Sequence, residues 1–255
     1  DPAKAPIPVR PAVHYTMGGI LVDGLCASPL PGLYAAGECS SVGIHGANRL
    51  GSNSLSELLV FGKVAGEEAA RFAKSVAPGN SASLQKQAQA VEQRVLGLKT
   101  RTGGNERIAT LRKEMAQTME DGCGIYRLAE TMQKTCDKLG ELKARFCNVN
   151  VEDKSSVWNT EWLLAIELEY QLDVAQSMAH SALQRRESRG AHQRLDGFEQ
   201  RDDANFLKHS QAHYVADGPP RIDYGPVRIT KSPPGTRAYG AAGEKAEQER
   251  KASHA

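Results

Sequence analysis

Two clusters of polar residues near the start of the chain have the types and spacing to do chemistry. The first is HYTMGG, residues 14–19, and the second is GECSSVGIHGANRLGSNSL, residues 37–55. The second cluster follows an apolar segment, residues 32–37, which predicts a buried strand between turns. It leads into a helix, and Ser54 and Glu57 stand three residues apart, the spacing of a capping box. A strand, a glycine-rich loop and a capped helix start are therefore predicted in succession.

A helix start of this kind is an anion-binding element. Its first N–H groups are unpaired and carry partial positive charge, which suits a phosphate, a carboxylate or the anionic edge of a reduced flavin. Glu38, at the predicted strand end, is placed to accept hydrogen bonds from hydroxyl groups. Arg49 offers a planar fork that can hold a carboxylate through two hydrogen bonds.

Each of these residues also has a plainer interpretation. His14, beside two glycines, is more often a turn residue than a ligand, and Arg49 alone would be half of a surface ion pair. Cys39 is interpreted as a packed small side chain, because no base is arranged to activate it. His209 and His213 are four apart, but with no third ligand in view no metal site is predicted.

Downstream of residue 80, apolar residues recur at helical spacing and predict an up-and-down bundle of amphipathic helices. Gly122 is expected at the C′ position of the second helix. The fourth stripe is expected in one or two pieces, and Arg185, Arg186 and Arg189 are expected on a solvated or docking face. The four stripes are Leu84, Ala88, Val91, Val95 and Leu98; Ile108, Leu111, Met115 and Met119; Met132, Cys136, Leu139, Leu142 and Phe146; and Leu163, Ile166, Tyr170, Val174, Met178 and Ala182.

Bulk composition excludes several classes of protein. The 255 residues are 40% apolar with a net charge of +2, which points to neither nucleic acid nor an anionic membrane. No apolar run approaches the roughly 18 residues that span a bilayer, so any membrane link is expected through a partner. The odd number of five cysteines, with no CxxC pair, argues against a disulfide framework, a zinc ribbon or an iron–sulfur cluster held by this chain. This cysteine usage favours a reducing compartment.

These patterns predict an α+β protein. Residues 1–80 form an α/β unit, residues 81–190 the helical bundle, and residues 191–239 a small segment with strands at 221–224 and 227–230. Residues 240–255 lack an apolar anchor and are expected to be disordered. The proline-rich start, DPAKAPIPVRP, is interpreted as an internal cut in a longer protein.

Longer motifs carry a family resemblance. Residues 32–67, GLYAAGECSSVGIHGANRLGSNSLSELLVFGKVAGE, resemble the FAD-binding segment of the fumarate reductase, succinate dehydrogenase and aspartate oxidase flavoproteins. HYTMGG resembles the substrate-side motif of that family. ESRGAHQRLD, residues 187–196, and QRDDANFLKH, residues 200–209, resemble the C-terminal motif of its respiratory members. The glycine-rich loop is more similar to the bacterial fumarate reductase branch than to the succinate dehydrogenases.

The resemblance implies FAD as cofactor, a dicarboxylate as substrate, and residues 1–80 as the C-terminal part of the FAD-binding domain. The substrate carboxylates are expected to bind His14 and Arg49, both of which also border the cofactor. The remaining implied contacts to FAD are Tyr15 beside the flavin, Glu38 on ribityl or ribose hydroxyls, and the backbone N–H groups of Ser54 and Leu55 on the pyrimidine edge.

The implied activity is hydride transfer from reduced FAD to fumarate. Electrons would come from an iron–sulfur subunit and membrane anchor subunits with quinone, at the cytoplasmic face of a bacterial inner membrane. Succinate oxidation and, less strongly, aspartate oxidation are the alternatives, and a subunit-docking module without activity is the non-enzymatic one. No GxGxxG follows a strand in this chain. The resemblance implies that the pyrophosphate site, the proton-donating arginine and the histidine that attaches FAD lie upstream, with no catalytic residue here.

Overall fold

The computed structural model describes residues 1–9, 11–216, 218–231 and 234–235. Its helices are α1 Asn53–Ser75, α2 Ser81–Thr100, α3 Ile108–Cys123, α4 Ala129–Phe146, α5 Thr160–Gln184 and the short α6 Asp203–Phe206. Its strands are β1 Ile20–Leu21, β2 Ser40–Ser41, β3 Tyr126–Arg127, β4 Gln193–Arg194, β5 Lys208–His213 and β6 Arg221–Pro226. The predicted α+β class and the helical bundle are confirmed.

The core lies between α3, α4 and α5. The apolar stripe predicted for α4 is buried throughout, from Met132 to Phe146. Fully burying a leucine side chain contributes roughly 1.5–3 kcal/mol, so the leucines of these three helices dominate the stability of the bundle. The leucines that are at most 1% exposed are Leu111, Leu139, Leu142, Leu168 and Leu172.

The stripe predicted for the fourth bundle helix was wrong about its buried face. α5 is one helix, and Leu163, Tyr170 and Val174 of the predicted stripe are more than half exposed. The buried side of α5 contains several alanines, whose small side chains allow α3 and α4 to approach closely. Of these alanines, only Ala182 belonged to the predicted stripe. The buried positions of α5 are Ala165, Leu168, Leu172, Ala175, Gln176, Ala179 and Ala182.

Two other helical expectations need correction. Gly122 lies inside α3 and does not follow it; an added Cβ there would be 1.9 Å from Thr135 Oγ1 of α4, so this glycine permits close helix packing. α2 is buried only towards its end, where Leu98 is 4% exposed, whereas Leu84 and Val91 are more than half exposed. Periodicity predicted both helices but not which faces meet.

The strands form three two-stranded sheets. β1 pairs parallel with β2, β3 pairs parallel with β4, and β5 pairs antiparallel with β6 with Lys208 opposite Pro226. The strand predicted at 221–224 is confirmed. The segments 32–37 and 227–230 are not regular strands; in the first, Tyr34 makes an isolated antiparallel bridge with Ala27. The predicted tail, residues 240–255, lies outside the described residues.

The arginines after α5 are not a solvated face, apart from exposed Arg186. Glu187 is completely buried, and Arg185 and Arg189 both donate to its carboxylate, Arg189 at 2.8 and 2.9 Å. The Asp202 N–H donates to the same carboxylate at 2.9 Å. A buried carboxylate needs such partners, so these two arginines fold the segment after α5.

Across the described ranges, each helix is too short or too polar to cross a lipid bilayer.

Candidate functional site

Four of the predicted site residues line one cleft of about 210 Å³. His14 and Tyr15 come from the first cluster, Glu38 from the loop before β2, and Ser54 from the first turn of α1, with Leu58 completing the lining. Three separate segments therefore converge as the sequence predicted, and they present polar groups around a common space.

Short backbone contacts hold the first cluster against the second. The Ile20 N–H donates to the Cys39 carbonyl at 2.9 Å, and the Thr16 N–H donates to Glu38 Oε1 at 2.9 Å. Gly19 has φ of +144°, and a Cβ there would be 2.4 Å from the Cys39 carbonyl oxygen. Only glycine allows this approach, which explains the second glycine of HYTMGG. Cys39 itself is exposed, so its interpretation as a packed side chain was wrong.

Arg49 joins this cleft through Tyr15. Its guanidinium carbon lies 4.5 Å from the centroid of the Tyr15 ring, a cation–π contact. Its Nε atom is buried and has no hydrogen-bond partner within the described part of the chain. Arg49 is therefore not the surface ion pair of the plainer interpretation. Its unsatisfied donor fits an anionic group of a bound ligand.

The predicted capping box was wrong, and its glutamate has a different use. α1 begins at Asn53, and the preceding Ser52 has a left-handed φ of 66° without a side-chain cap. Glu57 is 2% exposed and accepts from Tyr15 Oη at 3.1 Å, with His45 Nε2 at 2.6 Å from the same carboxylate oxygen. Burial, together with the hydrogen bond to Glu57, raises the pKa of the Tyr15 phenol.

His45 and Glu57 are the site residues that sequence reasoning missed. The signal for Glu57 was a charged residue inside the apolar run from Leu55 to Phe61, where its side chain falls on the buried side. His45 stood within the glycine-rich loop without an assigned role. Its Nδ1 atom is buried and lacks a partner among the residues described, like Nε of Arg49.

Leu55 lies apart from the cleft lining. Its side chain is 64% exposed, and its N–H donates to the Ser52 carbonyl at 3.2 Å. The first turn of α1 contains no acidic side chain, so the partial positive charge of this helix start is not neutralised locally. With the Arg49 cation and two unsatisfied buried nitrogens, the site fits a cofactor and substrate that carry negative charge and hydrogen-bonding edges, as FAD and a dicarboxylate do.

The C-terminal motifs pack against the glycine-rich loop. The Ala191 N–H donates to the Ala47 carbonyl at 3.0 Å, and the His209 ring lies 3.5 Å from where a Cβ of Gly43 would be. Burial lowers the pKa of His209. His209 and His213 both belong to β5, and the part of the chain that the structure describes holds no group of three or more residues able to bind a metal.

Comparison with known proteins identifies the family of the chain. Residues 112–239 match the family model described as the fumarate reductase flavoprotein C-terminal domain, and residues 1–55 match that of the FAD-binding domain. The chain is 58% identical over 253 residues to the fumarate reductase flavoprotein subunit of a Serratia species, covering 98% of this chain and 42% of that protein. It is 35% identical over 256 residues to the succinate dehydrogenase flavoprotein subunit of Rickettsia conorii, covering 94% of this chain and 42% of that protein.

A solved structure gives the same answer for the fold. Escherichia coli quinol fumarate reductase superposes with a TM-score of 0.89 at 57% identity, covering 92% of this chain and 40% of that one. The chain thus spans about two fifths of the length of the relatives it matches. FAD is the cofactor of this family, and residues 1–55 carry part of its binding domain. The chain belongs to the fumarate reductase and succinate dehydrogenase flavoprotein family.

Proposed function

We propose that this chain is part of the flavoprotein subunit of a quinol:fumarate reductase that reduces fumarate to succinate. The observation that carries the proposal is the position of Arg49, stacked on Tyr15, beside a cleft lined by His14 and Glu38. A guanidinium whose Nε has no partner in the described chain is suited to a carboxylate ligand. The 58% identity to a fumarate reductase subunit, against 35% to a succinate dehydrogenase subunit, supports fumarate as the substrate.

In this proposal His14 and Arg49 each hold one carboxylate of the dicarboxylate. Binding both ends fixes the alkene carbons between them, so that a hydride reaches one carbon along a set direction. Arg49 also withdraws electron density from the alkene through the carboxylate it binds, and this effect is strong where water is excluded. The proton for the second alkene carbon would come from a residue outside this chain.

FAD, when bound and reduced, supplies the hydride. We expect Tyr15 and Arg49 to border the flavin, Glu38 to accept from its ribityl or ribose hydroxyls, and the start of α1 at Ser54 and Leu55 to face its pyrimidine edge. Glu38 is exposed, and one of its oxygens accepts from the Thr16 N–H, which leaves the other available for a hydroxyl. For Leu55, the cofactor must compete with the 3.2 Å bond to Ser52.

Succinate oxidation uses the same contacts in reverse. The balance between the two directions depends on the reduction potentials of the flavin and the quinone rather than on these side chains. Aspartate oxidation is a weaker candidate, because the similarity to respiratory flavoproteins extends through ESRGAHQRLD and QRDDANFLKH to the C-terminal region.

We also propose that residues 1–80 complete a FAD-binding domain, that residues 81–190 form the bundle domain, and that residues 191–239 form a C-terminal segment. The bundle and that segment would dock an iron–sulfur subunit joined to quinone-binding membrane anchors, at the cytoplasmic face of the inner membrane. Similarity to a quinol fumarate reductase structure supports this assembly. Crosslinks from the iron–sulfur subunit are expected on residues 81–239, and their complete absence there would contradict the docking proposal.

The activity is tested with the full-length subunit in its complex. Purified complex should reduce fumarate with an artificial one-electron donor and oxidise succinate with an artificial acceptor, while leaving aspartate unchanged. A complex that contains FAD but turns over neither fumarate nor succinate would contradict the proposed function. Oxidation of aspartate at a rate equal to that of succinate would favour the aspartate oxidase alternative.

A further inference from the structure

Glu57 is a buried carboxylate whose partners belong to the site. It lies on α1 with 2% exposure, where an apolar residue would be the ordinary occupant. Burying a carboxylate is costly unless hydrogen bonds compensate for the lost water, so a glutamate at this buried position needs a physical reason. Both of its side-chain partners, Tyr15 and His45, come from the two clusters that form the cleft.

The Tyr15 hydroxyl is held from two sides. It donates to Glu57 Oε2 at 3.1 Å and lies 3.3 Å from His45 Nε2, while the His45 ring meets the Tyr15 ring edge-on at 90° and 5.5 Å. These contacts fix both the position of the hydroxyl and the plane of the phenol ring. A tyrosine held in this way is a rigid platform rather than a rotating side chain.

Arg49 depends on that platform. Its guanidinium carbon is 4.5 Å from the Tyr15 ring centroid, and its Nη1 group donates to the Leu50 carbonyl at a long 3.4 Å. Nε has no partner in the described residues. The ring of Tyr15 is therefore the contact that sets where the guanidinium points, and bidentate binding of a carboxylate is sensitive to that direction.

We propose that Glu57 and His45 are positioning residues that act through the Tyr15 ring to orient Arg49 for one carboxylate of the dicarboxylate. This inference rests on the proposed function, since it takes the ligand of Arg49 to be that carboxylate. Neither residue touches the substrate in this scheme. Their effect reaches the ligand only through the chain of contacts from carboxylate to phenol to guanidinium.

The test measures binding of malonate, a dicarboxylate with no reducible bond, to the full-length complex by perturbation of the flavin absorbance. Tyr15→Phe keeps the ring and removes the hydroxyl, and Glu57→Gln keeps the size and removes the charge. Loss of a hydrogen bond to a charged group is worth about tenfold or more, so each change should weaken malonate about tenfold with FAD content retained. Fumarate reduction should show a lower kcat as well as a higher KM, because Arg49 also stabilises the transition state in the proposed function.

A double variant separates positioning from simple damage to the fold. If Glu57 acts through the hydroxyl, Tyr15→Phe combined with Glu57→Gln should bind malonate within about twofold of the weaker single variant, because the two residues form one unit. His45→Gln keeps a donor near the Nε2 position and should retain most of the affinity, whereas His45→Leu should not. The two His45 variants still test the inference if the Glu57→Gln protein fails to fold.

Glu68→Gln is the matched control. Glu68 lies on the same helix and pairs with Arg71 at 2.6 Å, away from Tyr15, so its loss should leave malonate affinity unchanged. If the two single-variant losses of malonate affinity instead multiply in the double variant, to about a hundredfold, the inference is overturned. The proposed function would remain intact. A parent complex that fails to reduce fumarate would instead contradict the proposed function.

Discussion

Gly190 lies directly against the carbonyl of Ala47. A Cβ added at Gly190 would be 2.5 Å from that oxygen, and the N–H of the following Ala191 donates to it at 3.0 Å. The ESRGAH motif therefore packs against the loop that contains His45 and Arg49. The two motifs, far apart in sequence, therefore meet in one contact.

Gly190→Ala is expected to destabilise the subunit by about 2 kcal/mol or more, since it adds a steric clash to a backbone at φ of +58°. Gly197→Ala is the matched control, because Gly197 also has a positive φ, of +91°, but nothing lies within 4 Å of its added Cβ. Thermal unfolding of the two purified variants measures the difference. Equal melting temperatures would show that the contact with Ala47 is unimportant.

His192 should make the protein less stable in acid. Its Nε2 atom lies 3.0 Å from the Arg185 carbonyl and its Nδ1 atom 2.8 Å from Arg127 Nη1, and burial lowers the pKa of this histidine from 6.5 to about 4. The unfolded chain therefore takes up the proton first as the pH falls below 6.5. The stability contributed by neutral His192 is complete above pH 6.5 and is lost towards pH 4, by roughly 3 kcal/mol in total.

Denaturant unfolding at pH 7 and pH 4.5 checks this dependence. His192→Gln removes the titrating group, so its stability should fall less between the two pH values than that of the parent. The comparison isolates His192 from His180 and His209, whose pKa values are also lowered by burial. Identical losses in parent and variant would contradict the assignment.

Arg145 of α4 binds two carboxylates, Glu114 of α3 and Glu106 in the segment just before α3. It donates to Glu106 at 2.7 and 3.0 Å and to Glu114 at 2.7 and 3.1 Å. The bonds from Arg145, together with Lys138, lower the pKa of Glu114 to about 2. Lysine cannot make two forked contacts at once, so Arg145→Lys should cost about 1–2 kcal/mol in the unfolding free energy. Arg107→Lys, at the exposed pair with Glu152, should cost close to nothing. Equal costs would contradict the fork argument.

Sequence reasoning predicted the members of the cleft better than it predicted the packing. His14, Tyr15, Glu38 and Ser54, which the family resemblance implied as site residues through its continuous motifs, line one cleft, and their roles toward ligands stay predictions. Glu57 was assigned to the helix cap because spacing along the chain cannot reveal a partner 42 residues away.

The errors in the bundle have a similar cause. Exposed Tyr170 and Val174 were assigned to the core because hydrophobicity was read without the neighbouring helices, whereas small Ala165 and Ala179 occupy it. Arg185 and Arg189 were predicted to be solvated because the sequence of a polar segment does not show which carboxylate is buried, and here Glu187 is.

The isolated chain of 255 residues is not expected to retain FAD. No dinucleotide fingerprint is present in its sequence, so the main contacts to the pyrophosphate are missing. Gel filtration followed by visible absorbance measures the bound flavin. A stoichiometric flavin spectrum would contradict this expectation, whereas a colourless chain would agree with it.

In the proposed function, Arg49 binds the substrate and not mainly the cofactor. The most direct measurement assays a full-length Arg49→Ala complex for both flavin content and fumarate reduction with an artificial donor. Loss of a contact that stabilises the transition state costs on the order of 3 kcal/mol, so turnover should fall about a hundredfold while FAD content stays normal. Arg49→Lys should also be poor, because lysine keeps the charge but loses the fork. Fumarate turnover within about threefold of the parent would contradict the claim, and loss of FAD together with activity would reassign Arg49 to the cofactor.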